Sequence, residues 1–167
     1  MIKIAIPRDR VRAMMGGDRG HLSTLEGELS VKLGVEGNTI TIEGEPLSEV
    51  RAWDVVKAIG RGFPPDRAML LLDDEYSFQL VDIGDYVKRS AQRRMKGRVI
   101  GTDGRARQNI ENLTHTRIEI YGGTIGLIGK EPEVTIAREG MVMLLTGAKH
   151  FTAYSFIEKR MKDHLRS

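Results

Sequence analysis

The sequence predicts an α+β chain of two small modules in tandem, each a three-stranded antiparallel sheet packed against three helices, with one more helix after them. Three observations predict it. Sliding the 167-residue sequence against itself by 85 positions aligns two stretches without a gap. Met15-Gly16 falls on Ile100-Gly101, Asp18 on Asp103, Leu25-Glu26 on Ile110-Glu111, Thr39-Ile40 on Thr124-Ile125, Gly44 on Gly129, Ala52 on Ala137 and Gly62 on Gly147. A period this long exceeds the roughly 20 to 50 residues of stacked repeat arrays, so the copies are independent domains. The apolar residues of both copies also switch between period 2 and helical spacing in the same order, and glycine turns fall at matching places.

In the first copy Ile2, Ile4 and Ile6 alternate with Lys3 and Ala5, the pattern of a half-buried strand. Phe78, Leu80 and the neighbouring residues 81–83 open the second copy in the same way. A short basic segment then leads to a glycine loop. Beyond it Leu22, Leu25 and Leu29, and in the second copy Ile110 and Leu113, recur at helical spacing. Two strands follow, residues 31–35 and 39–42 in one copy and 117–121 and 124–128 in the other. Gly37-Asn38 and Gly122-Gly123 supply the turns between them. Each copy closes on a helix, 48–59 with Ser48 as N-cap before Val50, Val55, Val56 and Ile59, or 133–145. The predicted boundaries are a first domain at 1–62, a linker at 63–75, a second domain at 76–147 and an amphipathic helix at 148–167. On that last helix Tyr154, Ile157, Met161 and Leu165 share a face.

Composition removes several classes of function. No apolar run approaches the roughly 20 residues of a spanning helix, and the first residues lack the build of a signal peptide, so a cytoplasmic chain without membrane contact is expected. Zero cysteines exclude disulfides, thiolate metal sites and cysteine nucleophiles. His21, His115, His150 and His164 include no i, i+4 pair, so neither a metal nor a cofactor is expected. Three Asn and three Gln in the whole chain are few, a depletion seen in proteins from hot habitats. The acidic residues are scattered and not paired, which argues against an enzyme.

Charge points to a polyanion. The net charge of +3 is unevenly held, with residues 1–80 carrying 10 Lys and Arg against 13 Asp and Glu, and residues 81–167 carrying 16 against 10. Within the basic half, Lys88, Arg89, Arg93, Arg94, Lys96, Arg98, Arg105 and Arg107 crowd around Asp103 alone. The same stretch holds Gly97-Arg98-Val99-Ile100-Gly101-Thr102-Asp103-Gly104-Arg105. Two glycines three apart, running into a helix start with its unpaired N–H groups, suit phosphates. Neither a G-x-G-x-x-G fingerprint nor a P-loop Gly-Lys-Ser/Thr is present.

These residues together resemble the KH domain of the eukaryotic and archaeal type, whose G-x-x-G loop between two helices clamps about four backbone nucleotides. The second copy is also similar to an archaeal tandem-KH family related to the eukaryotic small-subunit rRNA-processing factor called partner of Nob. The residues that carry this are Lys96 to Arg105, Ile110-Glu111-Asn112-Leu113-Thr114, and Tyr121-Gly122-Gly123-Thr124-Ile125-Gly126-Leu127-Ile128-Gly129. The resemblance implies two type I KH domains and single-stranded RNA binding in small ribosomal subunit assembly. The RNA it implies is the 3′ region of small-subunit rRNA, and the partner is the Nob endonuclease. The RNA contacts it implies are Lys96, Gly97, Arg98, Ile100, Gly101, Thr102, Asp103, Gly104, Arg105 and Arg107.

The first copy departs from the pattern. Without a gap its loop reads Gly16-Gly17-Asp18-Arg19, with arginine at the second glycine; shifted by one it reads Gly17-Asp18-Arg19-Gly20. Gly16, Gly17, Asp18, Arg19 and Gly20 are the corresponding candidate contacts. An irregular loop in an acidic half supports a second reading, a protein-interaction adaptor whose KH domains are largely degenerate. The aromatic residues are few, so the stacking platforms of RRM or OB modules are not expected, and Trp53 reads as a core or inter-domain residue on its helix.

Overall fold

In the computed structural model, residues 1–17 and 19–167 are described, and for residues 19 and 20 the backbone alone. The chain folds as two compact units, Met1–Asp74 and Glu75–Ser167. The first runs β1 (Ile2–Ala5), α1 (Arg8–Met15), α2 (Arg19–Leu29), β2 (Val31–Glu36), β3 (Thr39–Gly44), α3 (Pro46–Gly60) and a short α4 (Pro65–Ala68). The second runs β4 (Tyr76–Asp82), α5 (Gln92–Ile100), α6 (Arg105–Thr114), β5 (Arg117–Tyr121), β6 (Thr124–Lys130), α7 (Glu133–Leu145) and α8 (His150–Arg166). The sheets have the orders β1-β3-β2 and β4-β6-β5, antiparallel throughout. In each, the last strand in sequence lies in the middle.

The middle strands are apolar because they face the helices. Ile40 and Ile42 on β3 are fully buried with Met14, Val55, Val56 and Ile59, and Ile125 and Leu127 on β6 with Val99, Ile110, Ile118, Met141 and Leu144. Each such side chain contributes about 1.5 to 3 kcal/mol on burial.

The offset of 85 is visible in the backbone. Positive φ angles recur at Gly16 and Gly101, Ser30 and His115, Gly37 and Gly122, and Gly62 and Gly147. Glu26 accepts from the Leu33 N–H at 2.8 Å, and Glu111, 85 positions on, from the Ile118 N–H at 2.9 Å. Only the first strand breaks the offset. Ile4 pairs with Ile40 and Val81 with Ile125, so β1 and β4 are related by 77 positions. The second unit therefore holds eight extra residues before α5, folded as the 3-10 turns Ile83–Asp85 and Arg89–Ala91.

Four expectations need correction. Residues 63–75 are not a free linker: α4 and the 3-10 turn Met69–Leu72 belong to the first unit, with Phe63 and Ala68 fully buried. Pro65 starts α4, since proline at the first helical position has no N–H to lose. In α3, for the same reason, Pro46 begins the helix ahead of Ser48, and Val50 faces outward. On β4 the inward residue is Val81, continued by Ile83, and Leu80 is exposed. Finally, α8 is part of the second unit's core. Ala153, Ile157 and Met161 are buried, and Gly140 on α7 lets Ile157 come so close that a Cβ there would collide with it. Tyr154 packs half-buried on this core, whereas Leu165, at 78% exposure, points away from it.

Candidate nucleic-acid interface

The second unit's loop is fixed by glycine geometry. Gly101 ends α5 at φ +77°, with its N–H donating to the Gly97 carbonyl at 2.9 Å. A Cβ on Gly101 would lie 2.6 Å from the Ala106 nitrogen, so only glycine lets the loop close on the start of α6. Asp103 and Gly104 both take left-handed backbone, at φ +55° and +75°. Gly104 is the N-cap of α6 and brings no side chain to cap it, so the first-turn N–H groups and the positive end of the helix dipole face the loop.

The cations around the loop fall into two sets. Arg98 donates from Nη1 to the Leu144 carbonyl and from Nη2 to the Ala148 carbonyl, both at 2.6 Å, which closes the end of α7. Arg107 pairs with Glu111 at 3.3 Å and donates to the Ile118 carbonyl at 3.2 Å. These two guanidiniums are engaged with the fold. The side chains of Lys88, Arg89, Arg93, Arg94, Lys96 and Arg105 make no hydrogen bond or ion pair among the described residues. Lys88 and Arg89 stand on the eight-residue insertion, and the others on α5 and at the first position of α6.

A groove beside the loop is lined by Arg94, Gly97, Arg98, Gly101, Thr102, Arg105 and Ala106 from α5, the loop and α6, and by His150 and Tyr154 from α8. Gly97 is exposed in the middle of α5, and a Cβ there would meet nothing within 4 Å. Its missing side chain leaves the groove floor open. Ile100 is half-buried beside Gly101, Lys96 is half-buried on α5, and Thr102 and Asp103 are exposed on the loop. Of the predicted contacts, Gly97, Arg98, Gly101, Thr102 and Arg105 line this groove, and Arg94, His150 and Tyr154 line it with them. The sequence carried a signal for Tyr154 in the apolar stripe of the last helix, but none that this helix returns to the loop.

In the first unit Gly16 takes φ +67° where Gly101 takes +77°, so the ungapped register holds and the loop is Gly16-Gly17-Asp18-Arg19. Asp18 and the side chains of Arg19 and Gly20 lie outside the described residues. Gly17 is exposed with open space around it. In this register Arg12 stands at the position of Gly97, Asp9 at that of Arg94 and His21 at that of Ala106. A longer side chain and a carboxylate thus stand at the positions of Gly97 and Arg94.

Comparison with known proteins agrees with this geometry. The family model for the second KH domain of PNO1, described as a eukaryotic-type KH domain (KH-domain type I), matches residues 77–162. A KH domain-containing protein of Methanocaldococcus jannaschii is 42% identical over 98% of this chain and 75% of its own length. The pre-rRNA-processing protein PNO1 of Chaetomium thermophilum is 30% identical over 96% of this chain and 67% of its own. Among solved structures, a chain of the a/eIF2alpha-aDim2p-rRNA complex from Pyrococcus horikoshii superposes with a TM-score of 0.90 at 31% identity, covering 97% of this chain and 94% of that one. The crystal structure of Dim2p from the same organism gives 0.89 at 30% identity, covering 95% and 98%. With a glycine-closed loop, the βααββα order around it and relatives this similar over nearly the whole length, the chain belongs to the PNO1/Dim2 family of KH-domain proteins.

Proposed function

We propose that this chain is a tandem-KH protein that binds single-stranded RNA through its second unit and takes part in pre-rRNA processing, with no chemistry of its own. The observation that carries the reading is the Gly101–Gly104 loop, closed on an uncapped helix start beside unpartnered cations and an open groove floor. Phosphates fit such a loop through backbone N–H groups and helix charge, and the bases are left free for the groove. Relatives named for pre-rRNA processing, and a similar chain from a complex that contains rRNA, support the choice of RNA. In this reading the target is a short segment near the 3′ end of small-subunit rRNA, which the protein presents to the Nob endonuclease. The first unit, with Arg12 at the position of Gly97 and a net acidic sequence, fits a protein contact better than an RNA contact.

Titration of a labelled single-stranded RNA at several salt concentrations tests this. Each phosphate neutralised on a single strand adds about -0.7 to the log-log slope, so four held nucleotides give a slope of about -3. Thr102→Asp puts negative charge where phosphate sits and lowers affinity by more than about tenfold, and Gly17→Asp in the first unit has a smaller effect. A flat salt response, a preference for duplex, or a larger loss from Gly17→Asp than from Thr102→Asp would overturn the assignment. Enrichment of messenger RNA without small-subunit rRNA on the chain in cell extract, with no binding to purified nuclease, would refute the ribosome-assembly role alone.

A further inference from the structure

The second unit carries a helix that the repeat does not require, and its first turn returns to the loop. Its position there is fixed at three points. The Arg98 side chain donates from α5 to the Ala148 carbonyl just before α8, at 2.6 Å. In return the His150 ring nitrogen Nε2 lies 2.9 Å from the Arg98 carbonyl; a carbonyl only accepts, so Nε2 carries the proton and donates. Further along, Gly140 admits Ile157 against α7. His150 in turn supports Tyr154, with ring centroids 6.1 Å apart and planes tilted by 60°. The start of α8 is therefore held rigidly to the same helix that carries the glycine loop.

This gives the groove two unlike walls. One presents Arg94 and Arg105, whose charges have no partner among the described residues. The other presents the rings of His150 and Tyr154. Gly97 lines the groove as well, and a Cβ there would meet nothing within 4 Å. A phosphate alone has no use for an aromatic wall, and an apolar peptide has none for two free guanidiniums. A nucleotide satisfies both, with its phosphate toward the loop and cations and its base against a ring.

Resting on the RNA-binding reading above, we infer that the first turn of α8 is part of the RNA site, and that Tyr154, steadied by His150, seats one nucleobase of the strand whose phosphate lies on the Gly101–Gly104 loop. Stacking tolerates any base, so the seat adds affinity at one nucleotide without setting its identity. The first unit ends in the short α4 and the 3-10 turn Met69–Leu72, with no helix at the place of α8 among the described residues.

The test is a binding titration of short single-stranded RNA against the full chain carrying Tyr154→Leu, Tyr154→Phe or Thr102→Asp, with folding checked by circular dichroism. Leucine keeps the bulk that packs on the core and removes the ring; phenylalanine keeps the ring. Tyr154→Leu is expected to weaken binding by about five- to a hundredfold, the range for one stacked base, and Tyr154→Phe to stay near the unaltered protein. An oligonucleotide series with one abasic position at a time supplies the coupling. One position should weaken binding to the unaltered chain and leave Tyr154→Leu unaffected. Should Tyr154→Leu fail to fold, photocrosslinking of thiouridine-substituted RNA to the unaltered chain, with the crosslinked peptide identified by mass spectrometry, must place the base on residues 150–154. If Thr102→Asp abolishes binding while Tyr154→Leu binds like the unaltered protein and no abasic position couples to it, or if crosslinks avoid residues 150–154, the aromatic seat is refuted and the loop reading stands. If the unaltered chain binds no RNA, or Thr102→Asp changes nothing, the loop reading falls and the seat with it.

Discussion

Gly97 separates the demands of folding from those of the site. It sits in the interior of α5, where glycine costs about 0.8 to 1.0 kcal/mol relative to alanine, and a Cβ placed on it meets no atom within 4 Å. Gly97→Ala should therefore stabilise the second unit by about 1 kcal/mol, equivalent to roughly 4 to 8 °C in Tm for a domain of this size. Gly97→Leu should be no less stable than the parent, because leucine is nearly as good a helix former as alanine. The bulkier side chain would stand on the groove floor between Arg94 and Gly101. Displacing the strand enough to lose one charge-assisted hydrogen bond, worth about 1.5 to 3 kcal/mol, lowers affinity by about ten- to a hundredfold. Urea denaturation followed by circular dichroism reads the first effect, and fluorescence anisotropy with a labelled RNA reads the second. A Gly97→Leu protein that is destabilised by more than 1 kcal/mol, or that binds RNA as tightly as the parent, would refute the reasoning.

Gly101→Ala should destabilise at least twice as much as Gly104→Ala: both take positive φ, costing about 1 to 2 kcal/mol for an L residue, but only Gly101 drives its Cβ into the Ala106 backbone, as thermal melts of the two variants will show. Arg98→Ala removes both charge-assisted bonds to the end of α7 and should cost about 2 to 4 kcal/mol in urea denaturation; Arg98→Lys should recover little, since an ammonium cannot reach both carbonyls with a fixed fork. Burial raises the Asp54 carboxyl above the usual aspartate range, with Lys57 opposing in part. The folded state then holds this proton more tightly than the unfolded one, so the group's contribution is greatest below the ordinary value of about 3.9 and declines as pH rises through the raised one. Asp54→Asn should remove that decline, and an unchanged pH profile of stability would contradict it.

What could be read from the sequence was whatever the backbone itself demands. Glycines at 16, 37 and 62 and their partners at 101, 122 and 147 recur because those positions take positive φ in both units, a local requirement that survives when side chains drift. The apolar residues of the middle strands recur because the helices cover them. The obscure parts depend on distant contacts. The insertion before α5 shifted β4 out of the repeat, so Leu80 seemed as good a core residue as Val81. Phe63 looked like linker because its burial depends on the helices it meets and not on its neighbours in sequence. That Arg98 stands beside the loop is written in the sequence, whereas the two carbonyls it donates to lie 46 and 50 residues away. His150 was hidden in the same manner, its bond to the Arg98 carbonyl spanning 52 residues.

The two units together show which arginines belong to the fold. In the first, Arg10 donates from Nε to the Ile59 carbonyl at 2.7 Å and from Nη2 to the Phe63 carbonyl at 2.8 Å. Leu144 and Ala148, the acceptors of Arg98, stand 85 positions beyond Ile59 and Phe63. Yet Arg10 and Arg98 are not equivalent, because that offset places Ala13 opposite Arg98. Two different positions on corresponding helices thus send a guanidinium to the same pair of carbonyls, beside the positive-φ glycine at which a helix ends. A contact that is made from two places belongs to the architecture, since those carbonyls stand at the end of the helix whatever the loop does. The loop cations behave in the opposite way. Arg94, Gly97 and Arg105 have Asp9, Arg12 and Gly20 at the matching positions of the first unit, with charge reversed, added or removed. The fold tolerates either set, so folding did not choose the second unit's set, and the proposed seating of phosphates at that loop gives a reason for it.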